Sequence, residues 1–272
     1  MNRVIALAMG CAFLSFLPRV AAAQSGQPTP NQKNNCTAQN WSDHDRVNYA
    51  ESREEILPQT LLNTINSGMN GGISVHGWDQ NNVRVVACIH TAAASDAEAR
   101  GLASQIRITQ GPGRIEPLGP TNSDRNSWSV SYQVWVPKQS NLNISAHNGG
   151  LNLEDVTGQV EFRTVNGGVN LARIGGDITG STQNGGVHVV LEGSRWNGAG
   201  LHVKTTNGGV RLVLPSNYSA HLQVSTVNGG VHNDFASPGD DRHSKSLSFE
   251  VGGGGATVEA TTVNGGLSIS RS

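Results

Sequence analysis

Ionisable side chains that could support catalysis or metal binding are spread along this chain without a common motif. The sequence contains nine histidines and 20 acidic residues. His188 and His232 occupy the same position after a repeated corner, but Asn170, Arg211 and Ser268 occupy that position in other repeats. Cleavage of a polysaccharide requires carboxylates or basic groups that converge on one point, and the acidic residues recur in no fixed register. We therefore predict no catalytic residue, no cofactor and no metal site.

The corner beside these polar positions is the triplet Asn-Gly-Gly, which occurs seven times and always precedes a branched aliphatic residue. The seven asparagines are Asn70, Asn148, Asn166, Asn184, Asn207, Asn228 and Asn264. Most C-terminal copies are 18 to 23 residues apart, a length that is typical of one coil of a β-solenoid. The last interval is 36 residues, which predicts one further coil whose asparagine corner has been replaced near Gly252–Gly255.

Apolar and polar residues alternate on both sides of each corner. In one repeat, Leu201, Val203 and Thr205 alternate with polar residues before the corner, and Val210 and Leu212 alternate with polar residues after it. A period of two predicts strands with one face in the core and one in solvent. Each repeat is therefore predicted to be a strand, a corner and a second strand. We expect glycine at the corner because a sharp turn there requires positive φ.

Asparagine at every corner has two compatible explanations. Stacked coils would place these residues about 4.8 Å apart, where their amides can hydrogen-bond along the stack. Asparagine also tolerates the left-handed backbone region. We favour the hydrogen-bonded stack, because aspartate or serine would serve equally well in a simple turn.

The N-terminal 23 residues have the features of a secretory signal peptide. Arg3 precedes an apolar run over Val4–Leu17, and small residues at Ala21–Ala23 form a cleavage site. The rest of the chain contains no apolar run long enough to span a bilayer. Removal of this segment leaves 17 basic and 20 acidic residues. Because the mature chain has no basic excess, nucleic acid is not an expected partner.

One short helix is predicted in the mature chain. Ser95 and Glu98 form a capping box that opens a helix ending near Gln105. The predicted domains are a signal peptide over 1–23, a polar and largely disordered tail over 24–58, and a β-solenoid over 59–272 with an irregular part over 59–140 and regular coils over 141–272.

Two cysteines, Cys36 and Cys88, remain after the signal peptide is removed. An even number of cysteines in an exported protein favours a disulfide. The alternative is two separate thiols, with Cys88 buried as a small apolar residue.

Several segments together resemble a known family. They are Asn70–Asp79 (NGGISVHGWD), Ser95–Ala99 (SDAEA), Val134–Pro137 (VWVP) and the repeated TVNGGV coils. The chain resembles, over roughly residues 60–272, the putative-adhesin family of bacterial β-solenoid domains of unknown function. The resemblance implies a pectin-lyase-like stack without conserved catalytic residues, and a role in adhesion at the cell envelope.

The sequence therefore predicts an exported all-β protein, a single-stranded β-solenoid with an N-terminal β region and one short helix. We expect a non-catalytic adhesin-like protein or envelope scaffold, located in the periplasm, at the cell surface or outside the cell. Its expected partner is repetitive, either an envelope glycan or another protein. The expected binding face consists of Arg163, His188, Lys204, Arg211 and His232. The alternative function is a carbohydrate-active enzyme, a polysaccharide lyase or hydrolase, on the same fold.

Overall fold

The structure of the protein is a computed structural model that describes part of the chain. The described residues are 36, 46–59, 62–111, 113–235 and 244–272. The predicted signal peptide over 1–23 lies outside the described residues, as does most of the predicted tail up to residue 45. The described part is all-β with one helix, which agrees with the predicted class.

Twenty strands and one helix make up the described chain. The helix, α1, spans Asp96–Gln105. The first ten strands are β1 Val47–Pro58, β2 Leu62–Asn66, β3 Ile73–Trp78, β4 Asn82–Ala93, β5 Arg107–Gly111, β6 Gly113–Leu118, β7 Ser127–Pro137, β8 Leu142–Asn148, β9 Leu151–Glu154 and β10 Thr157–Asn166. The others are β11 Val169–Ala172, β12 Gly175–Asn184, β13 Val187–Val190, β14 Gly200–Asn207, β15 Val210–Leu214, β16 Ala220–Asn228, β17 Val231–Asn233, β18 Ser246–Val251, β19 Thr257–Asn264 and β20 Leu267–Arg271.

The strands form two ten-stranded mixed sheets. Sheet 1 has the order β1-β4-β7-β3-β9-β11-β13-β15-β20-β17, and sheet 2 has the order β18-β16-β19-β14-β12-β10-β8-β2-β6-β5. The strand before each Asn-Gly-Gly corner belongs to sheet 2, and the strand after the corner belongs to sheet 1. We call such a unit a rung: a strand of sheet 2, the corner, and a strand of sheet 1. Neighbouring rungs pair in parallel and without a shift, so equivalent residues of each repeat lie side by side.

The last two rungs do not stack in chain order. The rung with Asn264 (β19 and β20) lies between the rung with Asn207 and the rung with Asn228. The chain leaves the Asn228 rung, adds β18 antiparallel to β16 at the sheet edge, and then inserts β19 beside β14. Gly252–Gly255 belongs to the connection between β18 and β19. The prediction of an extra coil with a replaced corner is therefore wrong, because those 36 residues contain an edge strand and a return connection.

The N-terminal part agrees with the prediction at α1 and differs at β1. Ser95 is the N-cap, and its hydroxyl accepts a hydrogen bond from the Glu98 amide at 3.3 Å. The prediction of a disordered tail up to residue 58 is wrong for β1, which pairs along its whole length with β4. β1 lacks an apolar alternation because it is an exposed edge strand, with Leu57 its one buried side chain. Main-chain hydrogen bonds, and Arg84 bound to Glu54 at 2.7 and 3.0 Å, hold it instead.

Inward residues of both sheets form one continuous apolar core. The alternation predicted from the sequence is present, since Leu201 and Leu212 of one rung are both fully buried. One core position lacks a side chain, at Gly180 of β12. A Cβ there would overlap the ring of Phe162 on the next strand, so the large aromatic fills the space that the glycine leaves.

The first glycine of each corner is required by the distance between rungs. A Cβ on Gly185 would overlap the carbonyl of Gly167 in the neighbouring rung, and the same overlap recurs at Gly149, Gly167 and Gly265. The φ angles of these four glycines lie outside the left-handed region. Among the first glycines of the seven corners, only Gly71 and Gly208 have a φ angle inside it. The predicted reason for these glycines, positive φ, is therefore wrong at most corners. Backbone-to-backbone proximity is the actual reason.

Main-chain hydrogen bonds join the corners of neighbouring rungs. The Gly185 amide donates to the Asn207 carbonyl at 2.9 Å, and the Val187 amide donates to the Gly209 carbonyl at 3.0 Å. The remaining acceptor is the Gly185 carbonyl, and the buried hydroxyl of Thr205 donates to it at 2.7 Å. Equivalent threonines repeat this bond in four other rungs. Neighbouring corners are thus joined by main-chain hydrogen bonds and, in five rungs, by a threonine hydroxyl.

The corner asparagines form the hydrogen-bonded stack that we favoured from the sequence. Six of the seven side-chain amides, all except that of Asn70, donate to the side-chain oxygen of a neighbouring asparagine at 2.7 to 3.0 Å. In spatial order the ladder is Asn70, Asn148, Asn166, Asn184, Asn207, Asn264 and Asn228. Six of the seven residues are exposed, so the ladder is a surface feature.

Alanine substitutions at the two glycines of one corner should have unequal effects. We expect Gly185→Ala to lower the free energy of unfolding by about 1–3 kcal/mol, the usual range for overpacking. Gly186→Ala is the matched control, because its Cβ would lie 3.3 Å from the nearest carbonyl oxygen. Reduced entropy of the unfolded chain offsets that contact, so the control should stay within about 1 kcal/mol of wild type. Urea unfolding measures both, and equal losses would contradict the account.

Loss of a buried threonine hydroxyl should leave a carbonyl without a partner. We expect Thr205→Val to destabilise the protein by about 1–3 kcal/mol, because the Gly185 carbonyl would stay buried and unpaired. Thr205→Ser retains the hydroxyl and should recover most of the loss. Chemical denaturation of both variants tests this, and identical stabilities would show that the hydroxyl does not matter.

Candidate functional site

Two rows of outward side chains flank the asparagine ladder. For the six corners from Asn148 onward, the sheet 1 row contains the residue four positions after each asparagine, and the sheet 2 row contains the residue three positions before it. In spatial order the sheet 1 row is Asn152, Asn170, His188, Arg211, Ser268 and His232. The sheet 2 row is Ser145, Arg163, Ser181, Lys204, Thr261 and Ser225.

The five residues predicted to form one binding face are divided between these rows. His188, Arg211 and His232 lie in the sheet 1 row, whereas Arg163 and Lys204 lie in the sheet 2 row. The predicted face therefore draws on both sheets, because each corner carries the chain from one sheet to the other. His188 and Arg211 are direct neighbours, and Ser268 separates Arg211 from His232.

A groove of about 790 Å³ follows the sheet 1 row; we call it the sheet 1 groove. Its polar side chains are Asn170, His188, Arg211, Ser268 and His232. Its other wall consists of the second corner glycines, Gly168, Gly186, Gly209, Gly230 and Gly266. Because these glycines have no side chains, the groove is open along its whole length.

The two rows contain three exposed cations. Arg211, Arg163 and Lys204 are exposed and form no side-chain hydrogen bond or ion pair with any described residue. Outside the rows, Arg84 binds Glu54 and Arg173 binds Asp155. Some exposed arginines there likewise have no side-chain partner among the described residues: Arg107, Arg125 and Arg195. Two further details belong to the sheet 1 groove. The Nε2 atom of His188 is buried without a hydrogen-bond partner, and His232 contacts Asp234 at 3.0 Å.

Sheet 2 carries two adjoining grooves with ionisable side chains. The larger, about 590 Å³, is lined by Asn141, Asn143 and Gln159 together with Glu161 and Asp177. Glu161 lies beside Thr179, so Asp177 is its diagonal neighbour. From strand spacing and rise, the two residues are roughly 8 Å apart. Side chains on Cα atoms at this separation can bring their carboxyl groups to the roughly 6.5–9.5 Å found in inverting glycosidases.

The smaller groove, about 370 Å³, gathers five ionisable residues. They are Glu161, Arg163, His202, Lys204 and Glu259. His202 Nδ1 lies 2.9 Å from Glu259 Oε2. Three strand spacings, roughly 14 Å, separate Glu161 from Glu259. That distance is too long for a pair of carboxylates acting on one glycosidic bond.

A serine, a histidine and a glutamate are also aligned across β16 and β18. The Ser248 hydroxyl lies 3.2 Å from His221 Nε2, and His221 Nδ1 lies 2.9 Å from Glu250 Oε1. This is the hydrogen-bond order of a nucleophile, base and orienting acid. The side chains of His221 and Glu250 are 30% and 58% exposed, however, and none of the three lines a groove described above. Acyl transfer needs a water-excluded site with oxyanion donors, so we assign this set no catalytic role.

Sequence reasoning missed this Ser-His-Glu set because its members meet only through the antiparallel β16–β18 pair. The one signal in the sequence is that Ser248 and Glu250 are two residues apart, which places them on one face if the segment is a strand. The partner strand is not evident from the sequence.

An ion-pair network connects three neighbouring rungs just after their sheet 1 strands end, at β9, β11 and β13. Arg173 donates to both carboxylate oxygens of Asp155 at 2.7 and 3.0 Å, and also contacts Glu154 and Glu192. The hydrogen bond from Arg173 holds the pKa of Asp155 below its usual value. Asp155 and Arg173 are the two described non-glycine residues with positive φ. The network therefore has a structural role: it connects neighbouring rungs, and Arg173 offsets negative charge from the acidic residues around it.

The predicted disulfide between Cys36 and Cys88 is present, with their Cα atoms 5.4 Å apart. The Nε2 atom of His90 lies 3.6 Å from the Cys88 sulfur. These three side chains are the one group of possible metal ligands that lie close together in the described chain. Because metals bind thiolates, and both sulfurs are oxidised, the group has only one usable ligand.

Comparisons with known proteins identify a family and distant structural relatives. The family model described as Toastrack DUF4097 matches residues 57–270. No curated protein matches the chain. Three crystal structures, each at 82% coverage of this chain, are similar at low identity. No helix among the described residues has the length and apolarity needed to cross a membrane.

The three crystal structures come from different bacteria. A putative cell adhesion protein from Clostridium sporogenes is 10% identical, with a TM-score of 0.41 and 100% of its chain covered. A putative adhesin from Bacteroides fragilis is 9% identical, with a TM-score of 0.34 and 97% covered. A putative lipid binding protein from Parabacteroides distasonis is 9% identical, with a TM-score of 0.36 and 96% covered.

Purified protein should contain no free thiol from Cys36 or Cys88 when it is denatured without reductant. The disulfide joins residues 52 positions apart, which corresponds to about 4 kcal/mol in the chain-entropy model. Cys36→Ser with Cys88→Ser should therefore unfold at a distinctly lower urea concentration. Two titratable thiols per chain, or unchanged stability of the double variant, would contradict this expectation.

Proposed function

The chain belongs to the Toastrack DUF4097 family over residues 57–270, and on that premise we propose that it is an exported, non-catalytic, adhesin-like protein of the cell envelope. This family contains proteins of unknown function that resemble adhesins. Its role here would be to bind a repetitive partner, either an envelope glycan or another protein.

The proposed scaffold is a single β-solenoid made of the stacked rungs. Parallel pairing without register shift in both sheets supports it. So do the corner hydrogen bonds and the apolar core shared by the two sheets. A stacked scaffold repeats each outward position about every 4.8 Å, and such a surface suits a partner that is itself periodic.

The unpaired cations of the two rows are the observation that carries the binding proposal. Arg163, Lys204 and Arg211 are exposed, lie beside the ladder, and have no described partner. Some arginines elsewhere, such as Arg53, Arg84 and Arg173, form hydrogen bonds or ion pairs. Other exposed arginines also have no partner among the described residues, but they lie outside the rows; these are Arg107, Arg125 and Arg195. A charge that the fold leaves unused is available to a ligand.

Export is proposed from two independent features. The N-terminal 23 residues have the composition of a secretory signal peptide. The Cys36–Cys88 disulfide is a modification of oxidising compartments. The periplasm, the cell surface and the medium all meet this condition.

The binding energy should be shared among the cations of both rows, so that each substitution weakens binding partly. In a screen of envelope polymers and surface proteins, we expect Arg163→Gln, Lys204→Gln and Arg211→Gln each to weaken binding by about two- to fivefold, as typical exposed charges do. The triple variant should lose binding almost completely, because the contacts act together. The control is the triple change of Arg107, Arg125 and Arg195 to glutamine, which removes equal charge elsewhere. An equal loss in this control would contradict the proposal.

The alternative function, a carbohydrate-active enzyme, is favoured by the proximity of Glu161 and Asp177 in the larger sheet 2 groove. The test is prolonged incubation of polysaccharides with the mature protein, followed by assays for new reducing ends and unsaturated products. We expect no turnover. Turnover that disappears in Glu161→Gln or Asp177→Asn would overturn the non-catalytic proposal, because one residue then controls the activity.

A further inference from the structure

We propose that the sheet 1 groove binds an acidic polysaccharide whose chain runs along the stack, across the strands. This inference rests on the proposed function and adds the chemical class of the ligand and its direction. It concerns only the groove beside Arg211, and it does not involve the carboxylates of sheet 2.

The dimensions of the groove suit an extended polymer. It crosses β11, β13, β15, β20 and β17, which are consecutive neighbours in sheet 1. Four strand spacings amount to roughly 19 Å, which is several sugar units. The glycine wall leaves the groove open along this direction, so a chain can continue past both ends. A compact ligand would use only a small part of it.

The charge of the groove selects an anion. Arg211 is the central member of the row and has no described partner. None of the residues that line the groove is an aspartate or a glutamate. One carboxylate adjoins the end of the groove, where Asp234 contacts His232 at 3.0 Å. Carboxylate or sulfate groups of a ligand would therefore meet a guanidinium without repulsion from lining acids.

The remaining side chains favour a glycan over an acidic protein. Asn170 and Ser268 offer an amide and a hydroxyl on either side of the His188–Arg211 pair, and such groups suit the hydroxyls of sugars. Protein partners are usually held by aromatic or aliphatic anchors in buried pockets. The groove lining contains no aromatic side chain other than imidazoles, and its aliphatic residues Val187, Val210 and Leu267 are buried.

A matched pair of polymers tests the charge. The probes are polygalacturonate and its fully methyl-esterified form, which share a backbone and differ in ionisation. Binding to the mature protein is measured by biolayer interferometry at low and at physiological salt. We expect the acidic polymer to bind at least tenfold more tightly, with an advantage that shrinks as salt increases.

Four substitutions test the location. Arg211→Gln should weaken binding of polygalacturonate about fivefold, whereas Arg107→Gln, an exposed cation outside the groove, should change it less than twofold. Ser268→Glu should weaken binding more than Ser268→Gln, since the two side chains have similar size and differ in charge. All four variants change outward side chains, so their far-ultraviolet circular dichroism should match wild type.

The outcomes separate this inference from the proposed function. If both polymers bind equally well and Arg211→Gln binds them like wild type, the inference of an acidic ligand is wrong, while the proposal of glycan binding stands. Equal losses in Arg211→Gln and Arg107→Gln would overturn the groove as the site. If the protein binds a surface protein but neither polymer, the inference that the groove binds a polysaccharide is wrong. If the mature protein bound nothing in the wider screen, the proposed function would fail as well.

Discussion

Close backbone contact at the corners is the constraint on which the rest of the structure depends. At the Asn-Gly-Gly triplets, the backbones of neighbouring rungs lie very close together. A Cβ on Gly185, for example, would overlap the carbonyl of Gly167 in the neighbouring rung. This proximity lets main-chain hydrogen bonds continue through the turn, and Thr205 satisfies the one carbonyl that remains. Buried polar groups without partners are costly, so glycine and threonine are needed together.

The same constraint fixes what the surface can display. Since every corner stacks on the next, the register of both sheets is set at one point and outward residues fall into rows. Positions in the rows are free to vary, because they do not support the fold: one rung carries His188 where the next carries Arg211. The corner is therefore invariant while the side chains beside it are diverse. This division suits a binding scaffold, in which recognition changes without loss of the core.

Much of this architecture could be predicted from the sequence, because it depends on local periodicity. Alternation, corner positions, the α1 cap and the amide ladder all follow from residue type and spacing. Three features could not be predicted. β1 has no apolar pattern, since main-chain pairing holds it. The insertion of the Asn264 rung beside the Asn207 rung depends on long-range pairing between identical repeats. The division of Arg163 and Arg211 between sheets depends on the direction of the chain after the corner.

The order of the rungs can be measured by cross-linking cysteines placed at the corners. Asn207 pairs directly with Asn264, which pairs in turn with Asn228. Cysteines on adjacent rungs would have Cα atoms about 4.8 Å apart, within the range of a disulfide, whereas two rungs are roughly 9.6 Å apart. Asn207→Cys combined with Asn264→Cys should therefore cross-link under mild oxidation, as detected by peptide mass. A cross-link between Asn207→Cys and Asn228→Cys, with none between Asn207→Cys and Asn264→Cys, would contradict this stack.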